Sequence, residues 1–550
     1  MRLKKFIQPR LDAPFPLWMF YPVIFAALSA SHFTLLRLPY YWDEAGYYIP
    51  AAWDFFRTGS LIPITTLTNA HPPLPSIYLA LWWKASGFYP EVTREAVLMV
   101  AALGLLAVWR LSMRLIEVPF VAFWTVLLTG LYPIWFAQSS LAHADIFAAA
   151  CTLWGLVYAL PVPDRDEDRK PWAAALWFAA AALCKETSII IPLTLAAISL
   201  IEGLRVRPPA RFRLWSQAAW LSGCVLPLAG WYAWHYAKTG FLFGNPEFLR
   251  YNAQANLDPL RILAAFAHRV LHLTAHMNLF VPVLITVAAM LLDPRKDAEG
   301  RDRQSIGLPA LRSIFILLLV NALFFSVLGG ALLTRYLLPM YPLVLLVAVS
   351  TFYRRVPFWH ALALFSAAAF LAGLFINPPY GFAPEDNLAY AHVIRMQLAG
   401  IAQLEHRYSG STVLTAWPMS DELTRPELGY LKQPFDVYRL EDFTEAQIAR
   451  AAAEPEKYSA ALVFSTKYDP QSPLFTLGPA SKAMDERYFG LHRDLPPEAI
   501  AAELHGTLVW KREDQGMWVA LIRFDRQLDA RLERGDDVRL AGRDRTFIPH

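Results

Sequence analysis

Charge is what this chain has little of. Asp, Glu, Lys and Arg together make up 17% of its 550 residues, against 56% apolar residues, and the mean hydropathy is positive at +0.31. That balance excludes an ordinary soluble enzyme and points to a multi-pass membrane protein, in which long apolar stretches satisfy their own backbone as helices. Cysteine is almost missing. Cys151, Cys184 and Cys224 each lie in an apolar run with no CxxC spacing, so neither a disulfide framework nor a zinc site is implied. The net charge of +4 gives no case for nucleic acid, but it is unevenly placed. Residues 1–376 carry 30 Lys and Arg against 20 Asp and Glu, whereas 377–550 carry 20 against 26. A basic membrane part, 1–376, is therefore expected ahead of a mildly acidic soluble domain, 377–550. The latter has neither a phosphate-binding glycine loop nor a nucleophile elbow.

What the chain does have is a series of apolar runs punctuated by basic clusters. The clusters are Arg2/Lys4/Lys5, Arg110/Arg114, Arg165/Arg169/Lys170, "RVRPPARFR" from Arg205, "DPRKDAEGRDR" from Asp293, and Arg354/Arg355. A span needs about 20 apolar residues, and cytoplasmic loops are enriched in Lys and Arg. Placing all six clusters in the cytoplasm demands an even number of crossings between neighbours. The runs 16–36, 95–111, 118–137, 145–161, 215–236, 272–292, 311–330, 335–352 and 357–376 are expected to cross once each. The run 172–203 goes out and back around Lys185 and Glu186. This gives about eleven crossings, a cytoplasmic N-terminus and an outer C-terminal domain. The first run reads as an uncleaved helix; a cleaved signal near Ala27 and Ala30 is the alternative. The run 74–89, with Pro75 and Lys84, is expected as an interfacial helix within a first outer loop, 37–94. Beyond "NPPYGFAPED", a linker, short strands at "STVLTAWP", "FDVYRL" and "AALVFST" alternate with helices. "GTLVWKRE" and "MWVALIRF" close a hairpin across "DQGM". A small α/β domain with a charged tail after Asp529 is predicted.

With this topology the unusual polar residues gather on the outer side. Asp43 and Glu44, in "YYWDEAGYY", follow directly on the first apolar run, where unpaired acids are costly and a functional role is the default; an interfacial anchor or helix cap is the alternative. His71 opens "HPPLPSIYLALWW", where two prolines hold it extended; it suits a phosphate oxygen or a structural turn equally. Asp145, in "SSLAHADIFAAA", starts a span, where capping the helix is the simpler role and orienting a substrate hydroxyl the other. Lys185 and Arg335 are cations at outer helix ends, suited to snorkelling or to a phosphate. Tyr336 stands beside Arg335 in "TRYLLPMYP".

In order and spacing, the acid pair after the first span, the His-Pro-Pro-Leu element from His71, the Asp opening a later span and "RYLLP" from Arg335 resemble the GT-C membrane glycosyltransferases. The likeness is to the protein O-mannosyltransferases and the lipid A aminoarabinose transferase, of glycosyltransferase family 39 type. It covers roughly residues 10–380 in layout. It implies a helical polytopic membrane enzyme, a hexosyl- or pentosyltransferase of the bacterial inner membrane, using a polyprenyl-phosphate (undecaprenyl-phosphate) sugar. The catalytic set would be Asp43 as the base, Glu44, which would orient the loop rather than act as a second catalyst, and Asp145 as the second acid of the site. His71, Lys185, Arg335 and Tyr336 would hold the lipid phosphate. The acceptor would be a lipid, a glycan or a protein. No cofactor is required, and a divalent metal is an option that no ligand spacing demands. Two other classes remain: a polyprenyl-lipid transporter or flippase, disfavoured because no internal repeat is found, and a non-catalytic scaffold binding lipid-linked glycan.

Overall fold

The computed structural model describes residues 19–162, 169–242, 244, 257–328, 332–468, 486–489 and 493–524. The N-terminal basic cluster, Arg165 and the charged tail lie outside the described residues. The chain divides into two compact units, 1–392 with 472–491, and 393–471 with 492–550. The sequence puts the division at Asn377. The helical unit extends further because Glu385, Asp386 and Tyr390 make their side-chain contacts within it.

The apolar runs of the helical unit are helices at the expected places. Many start with proline in the first turn, where its missing N–H has no partner to lose. Among the described residues, Pro90–Ile116, Glu186–Arg205, Leu308–Val327 and Thr334–Arg355 are long and apolar enough to cross a membrane. Pro259–Asn278 and Phe280–Met290, bent by 101°, make a fifth if the pair is one span. The crossings expected at 16–36, 118–137, 145–161, 172–184 and 357–376 fall on shorter helices: Phe20–His32, Pro119–Leu131, Ala144–Ala159, Pro171–Cys184 and Trp359–Phe375. The run 215–236 is divided between Ala210–Gly223 and Leu226–Thr239, with Pro227 in the first turn of the second. The run 74–89 is the helix Leu74–Ser86.

The breaks in these helices carry the polar residues. Lys185 is extended (φ −150°, ψ 123°) between Pro171–Cys184 and Glu186–Ile189. Arg335 and Tyr336 lie in a tight turn, Thr334–Met340, that contains Pro339. His276 sits at the 101° bend, where Met277 and Asn278 adopt left-handed backbone at φ 48° and 65°. Asp43 precedes a π-helical turn, Glu44–Tyr48, a wide turn common at functional sites. The helix Ala144–Ala159 is buried along nearly all its length. It packs against Pro171–Cys184 so closely that a Cβ on Gly155 would lie 2.6 Å from the Phe178 ring. That contact fixes Asp145 against the helix leading to Lys185.

The second unit is a five-stranded sheet with the order β2-β1-β3-β5-β4. The strands are β1 (Thr412–Ala416), β2 (Asp436–Leu440), β3 (Ala460–Phe464), β4 (Thr507–Asp514) and β5 (Met517–Arg523). β1 pairs in parallel with β2 and β3, and β5 runs antiparallel to β3 and β4. The β4–β5 hairpin turns at Gln515 and Gly516, both at positive φ, as a two-residue turn requires. All five strands and the helix Glu445–Ala452 occupy the segments read as such from sequence.

Candidate active site

Glu44 is the architectural half of the acid pair. It is fully buried, and its carboxylate accepts from Tyr41 N at 2.8 Å, from Ala142 N at 2.6 Å and from both Arg94 terminal nitrogens at 3.3 Å. Arg94 in turn donates to the carbonyls of Leu38, Pro39 and Ser140 at 3.2, 2.7 and 2.6 Å. This clamp holds the loop 38–44 against the start of Ala144–Ala159, with Trp42 in left-handed backbone at φ 48°. Asp43 is thereby turned the other way, 21% exposed and in contact with Arg335 Nη2.

Arg335 is the hub of the site. Its Nη2 donates to Asp43 and its Nη1 to Glu385, while its Nε lies 3.3 Å from Asp145 Oδ2. The other oxygen of Asp145 accepts from Lys185 Nζ at 2.5 Å. Lys185 Nζ stands 4.1 Å over the Tyr336 ring, and Arg269 lies 5.8 Å from the same ring. Thus three carboxylates, Asp43, Asp145 and Glu385, contact two cations, Arg335 and Lys185. Asp145, Lys185, Asn321, Phe325, Arg335 and Tyr336 line a small cavity open to solvent.

His143 joins this cluster. Its Nδ1 is 2.9 Å from Gln138 Oε1 and 3.4 Å from Arg335 Nη1. Burial first, then Arg335, Lys185 and Arg94, hold its pKa well below the ordinary histidine value, so the ring is neutral. Glu385, between Trp359–Phe375 and Ala389–Tyr408, is shifted the opposite way. Burial raises its pKa, with Asp43, Asp386 and Asp145 adding to the rise, and Arg335 only partly offsets it, leaving it at about 8. Three buried atoms in the cluster, His143 Nε2, Asp145 Oδ2 and Arg335 Nε, have no aligned hydrogen-bond partner. Asp145 and Arg335 nonetheless attract each other as charges at 3.3 Å. Buried polar atoms left this way are costly and mark places where a protein is built for something other than stability.

Of the residues expected from sequence, Asp43, Asp145, Lys185, Arg335 and Tyr336 come together. His71 stands beside Glu186, the residue after Lys185. It pairs with Glu186 at 3.2 Å and lies parallel to the Tyr48 ring at 5.8 Å. It lines a separate small cavity with Tyr48, Phe55, Asn69 and Trp231. Tyr48 links the two regions, its ring 5.8 Å from that of His143. Sequence reasoning missed Arg94, Glu186, Arg269, Glu385 and Asp386. The acids Glu385 and Asp386 were folded into a linker, although a second acid pair just beyond an apolar run repeats the context of Asp43–Glu44. The two grip adjacent residues: Glu385 holds Arg335, and Asp386 accepts from Thr334 and binds His276 Nε2 at 2.9 Å. Among the described residues no group of three or more His, Cys, Asp or Glu is placed to hold a metal ion.

No family model and no curated protein matches the chain. The fold, apolar helices ahead of a small sheet, is similar to that of a known GT-C glycosyltransferase. The likeness is to solved structures of ArnT, the lipid A aminoarabinose transferase, from Cupriavidus metallidurans. The apo structure superposes with a TM-score of 0.53 and 16% identity, covering 92% of this chain and 98% of that one. The structure bound to undecaprenyl phosphate gives 0.52 and 17%, covering 91% and 98%.

Proposed function

We propose that this chain is an inverting glycosyltransferase of the bacterial inner membrane. It moves a hexosyl or pentosyl unit from a polyprenyl-phosphate donor to an acceptor hydroxyl on a lipid, glycan or protein at the outer face. The sheet unit lies outside the membrane and the N-terminus in the cytoplasm. The observation that carries this reading is the cavity in which Lys185 and Arg335 converge beside Asp43 and Asp145. The undecaprenyl phosphate in the similar ArnT structure supplies the ligand class.

The donor phosphate binds Lys185 and Arg335 through charge-assisted hydrogen bonds, with Tyr336 backing the Lys185 ammonium. It competes with Asp43 for Arg335, which returns that carboxylate to the role of acceptor. Asp43, the most exposed of the three acids on Arg335, takes the proton of the acceptor hydroxyl as its oxygen attacks the anomeric carbon. The bond from that carbon to the phosphate oxygen breaks, and its electron pair leaves with the lipid phosphate, whose charge Lys185 and Arg335 stabilise. One displacement inverts the centre. Phosphate needs no general acid to depart, so a second catalytic carboxylate, as glycosidases use, is unnecessary. Asp145 positions Lys185, and Glu44 fixes the loop that carries Asp43. His71 acts from its neighbouring cavity through Glu186, the residue after Lys185.

The test is transfer by the full chain in nanodiscs, supplied with a panel of undecaprenyl-phosphate sugars and candidate acceptors. Wild type should release undecaprenyl phosphate and Asp43→Asn should not. Equal release by both would remove Asp43 as the base and turn attention to Asp145. Donor binding without release from any pairing would favour a scaffold.

A further inference from the structure

With all three acids ionised, the charges around Arg335 do not balance. Asp43, Asp145 and Glu385 bear on Arg335 and Lys185, an excess of one carboxylate in a buried place. A phosphate entering the same cavity would make the excess two. Desolvated like charges at this range are not tolerated; one group takes a proton instead.

The geometry distinguishes the three acids. Asp145 is shared by both cations, with Lys185 at 2.5 Å and Arg335 Nε at 3.3 Å. Asp43 has 21% of its side chain exposed, so water solvates its charge. Glu385 has neither support: 5% exposed, it has Arg335 as its cation. The other charged or titratable groups facing it are Asp43 from the loop before Glu44–Tyr48, Asp145 from Ala144–Ala159, and its neighbour Asp386. Behind these stand Lys185, His143, which is neutral, and His276, which is bound to Asp386. Arg269 is engaged by the carbonyls of Phe325 and Leu333.

From this arrangement we infer that Glu385 is a proton-coupled positioning residue. In its ionised form it holds Arg335 in place while the site is empty. It takes up one proton from water as the donor's phosphate enters, so that phosphate replaces it as the counter-ion of Arg335. The inference rests on the phosphate-binding reading above and adds to it how the site accommodates the incoming charge. As an acid, Glu385 keeps an oxygen that accepts from Arg335 Nη1, so the guanidinium stays aimed while its charge is released to the ligand. The Pro384–Asp386 turn is thus part of the donor site, with Asp386 anchoring it through Thr334 and His276.

The experiment measures undecaprenyl phosphate binding to the full chain in nanodiscs by calorimetry. Wild type and Glu385→Gln are compared in buffers of differing ionisation enthalpy. The lipid's own second ionisation, near pH 6, is complete above pH ~8 and common to both proteins. If one proton is taken up, wild-type affinity falls about tenfold per pH unit between pH ~8 and ~9.5, and the calorimeter records close to one proton per lipid. Glu385→Gln, already neutral, should bind with a flat profile and no proton uptake. The wild-type proton count stands even if the variant folds poorly. Binding by wild type without proton uptake, or an unchanged slope in Glu385→Gln, overturns the role of Glu385 and leaves the phosphate site intact. Failure of wild type to bind the lipid at any pH overturns both.

Discussion

Two buried arginines in this chain meet carboxylates in opposite ways. Arg94 has one carboxylate, Glu44, and fills its remaining donors with three backbone carbonyls, while Glu44 is completed by two backbone N–H groups. Arg335 is contested by three carboxylates and leaves buried polar atoms without aligned partners. The first arrangement is closed: nothing added could improve it, so it serves the architecture. The second is open: an anion would find two cations whose present partners are in excess. Burial and charge alone do not separate the two, since both arginines are almost inaccessible. Saturation does.

Exchanging the roles of the adjacent acids should break this contrast most sharply. Asp43→Asn should cost about 10²–10⁴-fold in turnover, the usual worth of a positioned base, with the melting temperature unchanged. Released undecaprenyl phosphate, counted by mass spectrometry, reads the first and thermal unfolding in detergent the second. Glu44→Ala should do the reverse. It leaves Arg94 buried without its counter-ion and should cost about 3–5 kcal/mol of stability, seen as early unfolding. Equal stability losses in the two variants would abolish the distinction between closed and open sites. A smaller effect is expected at Lys185. Removing its charge with Lys185→Met should weaken undecaprenyl phosphate binding by about 10–100-fold, the equivalent of one charge-assisted hydrogen bond. The smallest belongs to His71, whose partly exposed pairing with Glu186 is worth about 1 kcal/mol or less. His71→Gln should shift donor affinity by about fivefold at most. A loss as large as that of Lys185→Met would place His71 on the phosphate after all.

Much of this was legible in the sequence, for identifiable reasons. Apolar runs become helices because a backbone out of water must bond to itself, so run positions and helix positions coincide. The strands of the second unit were found because alternation of period two, ended by turn residues such as Gln515–Gly516, is a local signal. Asp43, Lys185 and Arg335 stood out because ionised groups are rare next to apolar runs. What escaped were partners distant in sequence. Glu44 meets Arg94 across 50 residues, and Arg335 meets Glu385 across another 50. A local pattern does not say which acid a buried arginine will choose. Glu385 was hidden further by its setting, since prolines and glycine around it read as a linker. The pairing of His71 with Glu186 was not legible because its Pro-Pro element fixes the backbone around it but not the direction its ring takes.

The clamp around Glu44 carries an implication for how the protein is made. One carboxylate joins segments 38–44, 90–116 and 140–142, and during synthesis it emerges before its two later partners, Arg94 and Ala142. Until Arg94 and the Ala142 amide arrive, water is the only medium that can carry that charge, so the first loop must wait at the aqueous surface. The loop bearing Asp43 can lock only once the helix starting at Ala144 is in place. The loop that carries Asp43 can therefore be fixed early, before Lys185, Asn321 and Arg335, which line the cavity with Asp145, have been synthesised.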